Sequence, residues 1–374
     1  MDGHVTIIGC GNIGSALCGL LARMQEIQSL TLIDPGVYEH DNLSTQNISL
    51  AEVGMPKAHA MRRFLKRIRP NLPITTHICD VESLPYGALS CSVICACLDS
   101  RLSRLHVNEV AWRLGVPWID SGVLASERLT RIEIFLPAMS APCLECAFTQ
   151  QHYDTMEVRH PCQKGPSSAA PTNAPAYLGA LAASLQAAEV DKLLHGQRDE
   201  QRAGEQVLYG LNGHRHYVSH NRRNPECRFD HRVFAPQEIS GRLRLKDLLF
   251  PVVPADRMSM SSESVSLSAP GQRFLRREPC QRCGRIDRPI QCVGTRDSPV
   301  QSCRFCGDTS TCRPGMLQEH LRCHDIPARL LARGPAALGL RPGDLLTVED
   351  QFGERHYLIA QRPHARRLQT WTGF

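Results

Sequence analysis

The sequence lacks a hydrophobic run that is long enough to cross a membrane. No stretch of about 18 uncharged apolar residues occurs in it, which excludes a membrane-spanning helix. The first residues, Met1 to His4, lead directly into an apolar segment, without the basic region and cleavage site of a secretory signal. These two absences predict a cytoplasmic protein that is not attached to a membrane.

Lysine and aromatic residues are scarce, and positive charge is concentrated late in the chain. Aromatic residues make up 5% of the sequence. Residues 271–374 carry 17 arginines against 10 acidic residues, whereas residues 1–270 carry a net charge of −1. A basic region can bind nucleic acid, but few aromatic residues interleave with these arginines. We therefore favour a protein partner for it. The five lysines are Lys57, Lys66, Lys164, Lys192 and Lys246.

Strand and helix patterns alternate over the first 120 residues. This alternation predicts an α/β fold with a mostly parallel sheet. The expected strands cover residues 4–9, 29–34, 74–78, 92–98 and 117–120, and the expected helices cover residues 12–24, 57–69 and 102–114.

The first strand pattern ends in the glycine-rich loop Gly9-Cys10-Gly11-Asn12-Ile13-Gly14. A loop of this kind between a strand and a helix is the fingerprint of nucleotide-binding βαβ units. Gly9 permits a tight turn, Gly11 lets the backbone approach a phosphate, and Gly14 lets the helix pack closely on the strand. Asp34 ends the second strand, where an acid can bind ribose hydroxyls. The usual ligand of such a loop is NAD or FAD.

Three further segments follow this loop in order. They are Asn42-Leu43-Ser44-Thr45-Gln46, then Val53-Gly54-Met55-Pro56-Lys57-Ala58, and then Cys97-Leu98-Asp99 with Arg104. Together with the glycine loop they resemble the nucleotide site of the ThiF/MoeB and ubiquitin-activating enzyme family. The resemblance covers residues 4–235 and implies a Rossmann-like adenylation domain that forms a homodimer.

Enzymes of this family adenylate the C-terminal glycine of a ubiquitin-like protein. The carboxylate attacks the α-phosphate of ATP and pyrophosphate leaves, so positive groups and a metal must lie where charge develops. The resemblance implies that Asp34 holds the ribose of ATP and that Asp99 holds magnesium. It also implies that the phosphates are contacted by Asn42, Gln46 and Lys57.

One position departs from the family pattern. The family usually has an arginine on the phosphates where this chain has Thr45. Because the first strand pattern begins at residue 4, we also expect no counterpart here of the N-terminal helix from which relatives supply another arginine across the dimer. We expect Arg62, Arg63 or a residue of a partner subunit to replace the missing arginine; otherwise adenylation is weak.

A first set of metal ligands is spread over the adenylation domain. Cys143 and Cys146 form a C-x-x-C pair, and Cys227 and His231 follow about eighty residues later. Relatives usually close a four-cysteine zinc site at this point. Three cysteines and one histidine make a closed tetrahedral zinc site; the alternative is that Cys227 is only a buried residue.

A second set of four cysteines has the spacing of a zinc ribbon. Cys280 and Cys283 form one pair, and Cys303 and Cys306 form the other, each followed by glycine. A rival set combines Cys303 and Cys306 with two histidines of the following segment, His320 and His324. We favour the ribbon because both pairs carry the glycine.

The candidate nucleophile is Cys162, in the irregular segment 151–175 that precedes a helix pattern over residues 176–195. In the family, a loop at this place crosses the adenylation site, and its cysteine takes the acyl group as a thioester. His160 could help to form the thiolate. The alternative is that Cys162 is one of 17 cysteines and has no such role.

We therefore expect an adenylation domain over residues 1–235, a linker over 236–274, and a basic zinc ribbon with a small β-rich end over 275–374. The expected function is ATP-dependent activation of a ubiquitin-like protein in a bacterial conjugation system. The acyl group passes to Cys162 and then to a conjugating-enzyme-like partner. The expected cofactors are ATP, magnesium and zinc.

Three alternatives remain. One is a sulfur-carrier protein adenylyltransferase of the thiamine or molybdopterin type. Another is an NAD-dependent oxidoreductase, which explains Gly9 to Asp34 but leaves Lys57, Asp99 and the cysteine pairs without a role. The last is a scaffold or nucleic-acid binder that uses only the basic C-terminal region.

Overall fold

A computed structural model of the 374-residue chain describes residues 2–157, 174–197, 202–250, 265–280, 282–286, 288–294, 301–310 and 317–361. The predicted nucleophile Cys162 lies outside the described residues. The chain divides into two compact units. The N-terminal unit comprises Met1–Leu84 and Leu89–Phe234, and the C-terminal unit comprises Pro85–Ala88 and Ala235–Phe374.

The N-terminal unit contains eight strands and five helices among its described residues. Its strands are β1 (His4–Ile8), β2 (Ser29–Ile33), β3 (Ile74–His77), β4 (Val93–Ala96), β5 (Trp118–Leu124), β6 (Leu129–Phe135), β7 (Glu205–Gly210) and β8 (Arg215–His220). Its helices are α1 (Asn12–Leu21), α2 (Lys57–Ile68), α3 (Arg101–Leu114), α4 (Gln150–Glu157) and α5 (Ala176–Leu194).

These strands form one sheet in the order β3-β2-β1-β4-β5-β6-β7-β8. Strands β1 to β5 run parallel to one another, and β6, β7 and β8 extend the sheet in antiparallel pairing. The strand order reverses at β1, because β2 lies on one side of it and β4 on the other. Ligands of open α/β sheets bind outside the carboxyl ends of the strands at such a reversal.

The first strands are apolar because the parallel part of the sheet is covered on both faces. Val5, Ile7 and Ile8 of β1 are buried, and so are all four residues of β4. The mostly parallel α/β fold expected from the sequence is therefore confirmed. The antiparallel strands β6 to β8 were not expected.

Two segments differ from the sequence prediction. Part of segment 151–175, expected to be irregular, belongs to α4. The amide of Thr149 donates to Nδ1 of His152 (2.9 Å), which satisfies one free amide at the helix start. The expected linker, residues 236–274, contains β9 (Gln237–Ile239), α6 (Leu245–Leu249), β10 (Ser266–Ser268) and the start of β11 (Gln272–Arg276). These elements form because their apolar residues are buried in the core of the C-terminal unit.

The C-terminal unit is rich in short strands. Two of them pair as the hairpin β17 (Leu345–Asp350) and β18 (Gly353–Ile359), where the sequence predicts the β-rich end. They belong to a five-stranded sheet in the order β16-β10-β17-β18-β9, in which β16 covers His320–Arg322. The other elements are β12 (Ile290–Gly294), β13 (Gln301–Ser302), β14 (Thr309–Ser310), β15 (Leu317–Gln318), β16 (His320–Arg322) and α7 (Ala328–Leu331).

Strands β12, β11 and β15 form a three-stranded sheet, and β13 pairs with β14 around the second cysteine pair of the ribbon. Within the described parts of both units, no helix combines the length and apolar character needed to span a membrane.

Candidate functional site

The glycine loop makes a tight turn between β1 and α1. Gly9 has a φ of +92°, a conformation that favours glycine, and its amide donates to the Ile33 carbonyl (2.8 Å). A Cβ added at Gly14 would overlap the Gly9 carbonyl, whereas a Cβ added at Gly11 would meet nothing within 4 Å. Gly14 therefore serves packing, and Gly11 borders open space at the start of α1, where backbone amides attract anions.

Asp34 joins the loops that follow β1 and β2. Its carboxylate accepts the Cys10 amide at Oδ2 (2.6 Å) and the Gly36 amide at Oδ1 (2.7 Å). The residue is 8% exposed. Each carboxylate oxygen has a second acceptor site, so a ribose hydroxyl can bind in addition to these amides. Asp34, which is expected to bind the ribose, therefore also connects the loop after β1 to the loop after β2.

Lys57 is held beside the same loops. Its amide donates to the Gly36 carbonyl (2.9 Å), and its ammonium lies 5.5 Å from the ring centre of Tyr38. The hydroxyl of Tyr38 donates to the Cys10 carbonyl (2.7 Å). Among the described residues, no carboxylate forms an ion pair with Lys57, so its charge is available to a phosphate.

The segment of Asn42 and Gln46 is attached to α1, because the Asn47 amide donates to Oγ of Ser15 (2.9 Å). Asn42 accepts the Glu39 amide through Oδ1 (3.0 Å). In contrast, the buried side-chain oxygen of Gln46 has no partner among the described residues. The Asn12 oxygen also has none, but this side chain lies against Gly179 of α5 and its amide nitrogen donates to the Ala174 carbonyl. A buried acceptor without a donor is costly. The amino or hydroxyl groups of a nucleotide could supply the donors.

Asp99 lies in the bend between β4 and α3, at the carboxyl edge of the sheet. It is exposed, and Ser100 caps α3 by accepting the Ser103 amide (3.3 Å). The Cys97 amide donates to the Ile8 carbonyl (2.8 Å), which brings this segment next to the glycine loop. An exposed carboxylate at this edge suits magnesium, which is bound in proteins by carboxylates and substrate phosphates.

The structure contains no arginine at the expected phosphate position. Thr45 is half-buried, and its amide donates to the Asn42 carbonyl (3.2 Å). Arg62 and Arg63 are exposed on α2, the helix that begins at Lys57. They follow Lys57 by five and six residues, so their side chains leave α2 on other sides of the helix than Lys57.

The sequence interpretation missed three residues of this region. Asn12 lies inside the glycine loop, where the sequence pattern assigns a role only to the three glycines. Ser15 contacts Asn47, which is 32 positions away, and Tyr38 contacts Cys10, which is 28 positions away. The unusual polar residue at Asn12 was the only sequence signal for this group.

The first set of predicted metal ligands comes together in the N-terminal unit. The Sγ atoms of Cys143 and Cys146 are 3.9 Å apart, and those of Cys143 and Cys227 are 3.7 Å apart. Sγ of Cys146 is 3.2 Å from Nε2 of His231. Tetrahedral zinc with bonds of about 2.3 Å to sulfur separates its sulfur ligands by about 3.8 Å. The four residues therefore fit zinc.

His231 is oriented for this role. Its Nδ1 donates to the Phe229 carbonyl (2.7 Å), which leaves Nε2 free to face the cysteines. The residue has a φ of +56°, a strained conformation for a side-chain-bearing residue that is typical of functional positions. The Asn224 amide donates to Sγ of Cys146 (3.3 Å).

The second set comes together in the C-terminal unit. The Sγ atoms of Cys280 and Cys306 are 3.6 Å apart, and those of Cys283 and Cys303 are 3.7 Å apart. The glycine after each pair has a positive φ, 67° at Gly284 and 73° at Gly307. The structure thus gathers the four ribbon cysteines, which could hold zinc. The rival histidines, His320 and His324, are exposed and belong to no potential metal cluster of the described residues.

The remaining core cysteines are poor nucleophiles. Burial raises the pKa of Cys91 to about 11, and burial also raises the pKa of Cys95 well above its usual range. A thiol with a raised pKa carries little reactive thiolate at neutral pH. Cys10 and Cys18 are buried as well. These environments fit a core-packing role for these cysteines.

Two alanine substitutions should separate packing from ligand binding in the glycine loop. Gly14→Ala should destabilise the fold by about 3 kcal/mol, since the added methyl group overlaps backbone. Gly11→Ala should melt within a few degrees of the parent chain and yet bind ATP at least ~10-fold more weakly, because its methyl group faces the phosphate path. Thermal melting and calorimetric titration measure the two effects. Equal ATP affinity in Gly11→Ala and the parent chain would contradict the site.

Elemental analysis should find two zinc ions per purified chain. Cys143→Ser and Cys303→Ser should each retain one, because each substitution removes a ligand from a different set. Cys79→Ser, which changes a half-buried thiol outside both sets, is the control and should retain two. If Cys143→Ser keeps a full zinc content, the first set does not bind the metal.

Comparison with known proteins places this geometry in a family. The profile of the ThiF family matches residues 1–229. Mouse ubiquitin-like modifier-activating enzyme 5 is 26% identical over 157 residues, which is 38% of each chain. The Bacillus subtilis sulfur carrier protein ThiS adenylyltransferase is 30% identical over 150 residues, 39% of this chain and 44% of that protein. Escherichia coli molybdopterin-synthase adenylyltransferase is 29% identical over 148 residues, 39% of this chain and 58% of that protein.

The chain therefore spans about two fifths to three fifths of the length of these relatives. Among solved structures, Escherichia coli MccB with succinimide has a TM-score of 0.49 and 21% identity, covering 60% of this chain and 66% of that one. Because the family profile matches more than half of the 374 residues, and does so over the unit that carries the glycine loop, Lys57 and Asp99, the chain belongs to the ThiF family.

Proposed function

We propose that this chain is an ATP-dependent enzyme that adenylates the C-terminal glycine of a ubiquitin-like protein. It then transfers the acyl group to Cys162 and hands it to a conjugating partner. The observation that supports adenylation is the position of Lys57 next to the glycine loop, without a carboxylate partner among the described residues. A hydride-transferring enzyme needs the glycine loop and Asp34 but has no use for this lysine.

We assign a task to each residue of the nucleotide site, which we call the nucleotide cradle: the glycine loop, Asp34, Asn42, Gln46, Lys57 and Asp99. The amides at the start of α1 face the phosphates across Gly11, and α1 stabilises negative charge at its N-terminus. Lys57 neutralises the charge that builds as pyrophosphate leaves. Asp99 would hold magnesium, which would supply further positive charge for the same leaving group. Asn42 and Gln46 orient the phosphates from the segment attached to Ser15.

The two cysteine sets serve structure in this proposal. Both have four protein ligands, so a bound zinc ion has no open position for substrate. The first set stabilises the end of the adenylation domain. The second builds a basic ribbon that would dock the conjugating partner. We also propose that the chain acts as a homodimer, through which a partner's arginine can replace the one missing at Thr45.

A sulfur-carrier route is the second candidate, because two of the relatives are named for the ThiS and molybdopterin systems. Both routes begin with the same adenylation and diverge afterwards. Conjugation needs an acyl thioester on the enzyme, whereas sulfur transfer ends in a thiocarboxylate on the carrier. Mass spectrometry of the carrier after turnover distinguishes these products.

Substitutions at Lys57 and Cys162 should separate the two steps. Lys57→Met should lower ATP–pyrophosphate exchange with a Gly-Gly carrier about 100-fold or more, because a charge at the leaving group is lost. Lys66→Met, farther along the same helix, is the control and should exchange normally, since its ammonium instead donates to the Pro70 carbonyl (2.8 Å). Cys162→Ser should keep exchange but lose the thiol-sensitive carrier adduct.

Two results would contradict the proposal. Turnover with NAD and no exchange with ATP would exclude adenylation. A thiol-sensitive adduct that persists in Cys162→Ser would exclude the nucleophile alone.

A further inference from the structure

A cavity outside the nucleotide site opens in the N-terminal unit beside α3 and the antiparallel strands. Its volume is about 280 Å³. Its polar lining comes from the start of α3, from β6 and β7, and from α4. The lining residues used below are Arg101, Arg104, Arg131, Glu133, Phe148, His152 and Gln206.

Two buried carboxylates lie beneath the arginines of this cavity. Asp120 is fully buried and accepts Nε of Arg104 (2.8 Å) at one oxygen and Nη2 of Arg131 at the other. Glu133 is 2% exposed and accepts Nη1 of Arg131 and the side-chain amide of Asn221. Burial alone would lower the pKa of Arg131, but these two carboxylates outweigh it and raise the pKa. The arginine therefore stays charged.

The arginines keep donors for a ligand. The side chains of Arg104 and Arg131 are 16% and 26% exposed and line the cavity, whereas the side chain of Asp120 is fully buried. Gly122 on β5 leaves room beside them: a Cβ there would lie 3.7 Å from Nη2 of Arg104 and 3.8 Å from Nη2 of Arg131. Arg101 is exposed at the cavity and adds a third positive charge.

His152 on α4 adds one further donor to the wall. Nδ1 of His152 accepts the Thr149 amide (2.9 Å), so the proton of a neutral His152 ring is on Nε2. The amide nitrogen of Gln206 is directed to Glu133 (3.5 Å). Three arginines against two buried carboxylates leave a net positive cavity, which favours an anion and repels a lysine or arginine side chain.

The cavity lies close to the proposed acyl site. Arg104 donates to the carbonyl of Leu98, the residue before Asp99. Arg101 follows Asp99 by two residues and begins α3. A substrate tail whose last residue reaches Asp99 therefore passes the mouth of this cavity with its preceding residues.

We propose that this cavity binds an acidic side chain of the acyl substrate, located a few residues before its C-terminal glycine. The planar forks of Arg101, Arg104 and Arg131 match a carboxylate in geometry and charge. Phe148 offers an apolar surface for the methylene groups of a glutamate. This inference rests on the proposed adenylation of a C-terminal glycine and adds the sequence preference of the substrate.

Peptide binding to the full chain tests the proposal without requiring turnover. The probes are fluorescent octapeptides that end in Gly-Gly-amide and carry Glu, Gln or Lys at each of the four preceding positions. Amidation removes the terminal carboxylate, so a difference between Glu and Gln reports the side chain. At one of the four positions, the Glu peptide should bind at least ~10-fold more tightly than the Gln peptide, as expected for charge-assisted hydrogen bonds between arginine and a carboxylate. The Lys peptide should bind most weakly.

Two variants locate the preference. In Arg101→Gln and in Arg104→Lys, which keeps the charge opposite Asp120, the Glu-to-Gln ratio should fall to about 3-fold or less. Arg23→Gln is the control, because Arg23 follows α1 at the opposite edge of the sheet; it should keep the full ratio. Thermal melting of each variant confirms that it is folded.

The results of the peptide experiment test the cavity separately from the proposed adenylation. Equal binding of the Glu and Gln peptides at all four positions overturns the proposal, and so does a Glu preference that is unchanged in both pocket variants. A Glu preference in a chain that shows no ATP–pyrophosphate exchange supports the cavity and counts only against adenylation.

Discussion

The carboxylate of Asp34 organises the nucleotide cradle. A buried carboxylate is stable only if donors satisfy it, and here the amides of Cys10 and Gly36 do so. These two bonds tie the loop after β1 to the loop after β2. Gly36 then accepts the amide of Lys57, so the same carboxylate also fixes the start of α2. The phosphate loop, the candidate ribose ligand and the lysine are thereby parts of one hydrogen-bonded unit.

The first cysteine set connects this chemistry to the rest of the adenylation domain. Arg228, between the ligands Cys227 and His231, lies 3.8 Å from the ring centre of Tyr153 on α4 and donates to Gln150 (2.7 Å). The hydroxyl of Tyr153 donates to Glu145, between Cys143 and Cys146 (2.9 Å). Both halves of the metal set therefore hold α4, the helix that supplies His152 to the basic cavity. Zinc binding would stabilise one wall of the proposed substrate site.

Sequence patterns predict the parallel half of the sheet well, because buried strands that alternate with helices leave strong local signals. The glycine loop, the segment around Lys57 and the C-x-x-C pairs are likewise local motifs, and the structure brings the four members of each cysteine set together. Other features depend on contacts between distant residues. The edge strand β8 has only exposed side chains, and those of β7 are half-buried, so neither strand shows a buried face in the sequence. The charge of Arg131 is explained only by the contacts of its guanidinium with Asp120 and Glu133. Residues 236–274 were expected to be a linker but contain strands and a helix, because scattered apolar residues such as Leu267 are buried in the core of the C-terminal unit.

The central claim is that a nucleoside triphosphate binds where the strand order reverses at β1. A crystal structure of the chain grown with a non-hydrolysable ATP analogue and magnesium tests this most directly. The account predicts phosphates over the Gly11 amide, within contact of the Lys57 ammonium, and a magnesium ion on Asp99. An analogue bound elsewhere, or a nicotinamide dinucleotide that fills this crevice while ATP does not, would contradict the account.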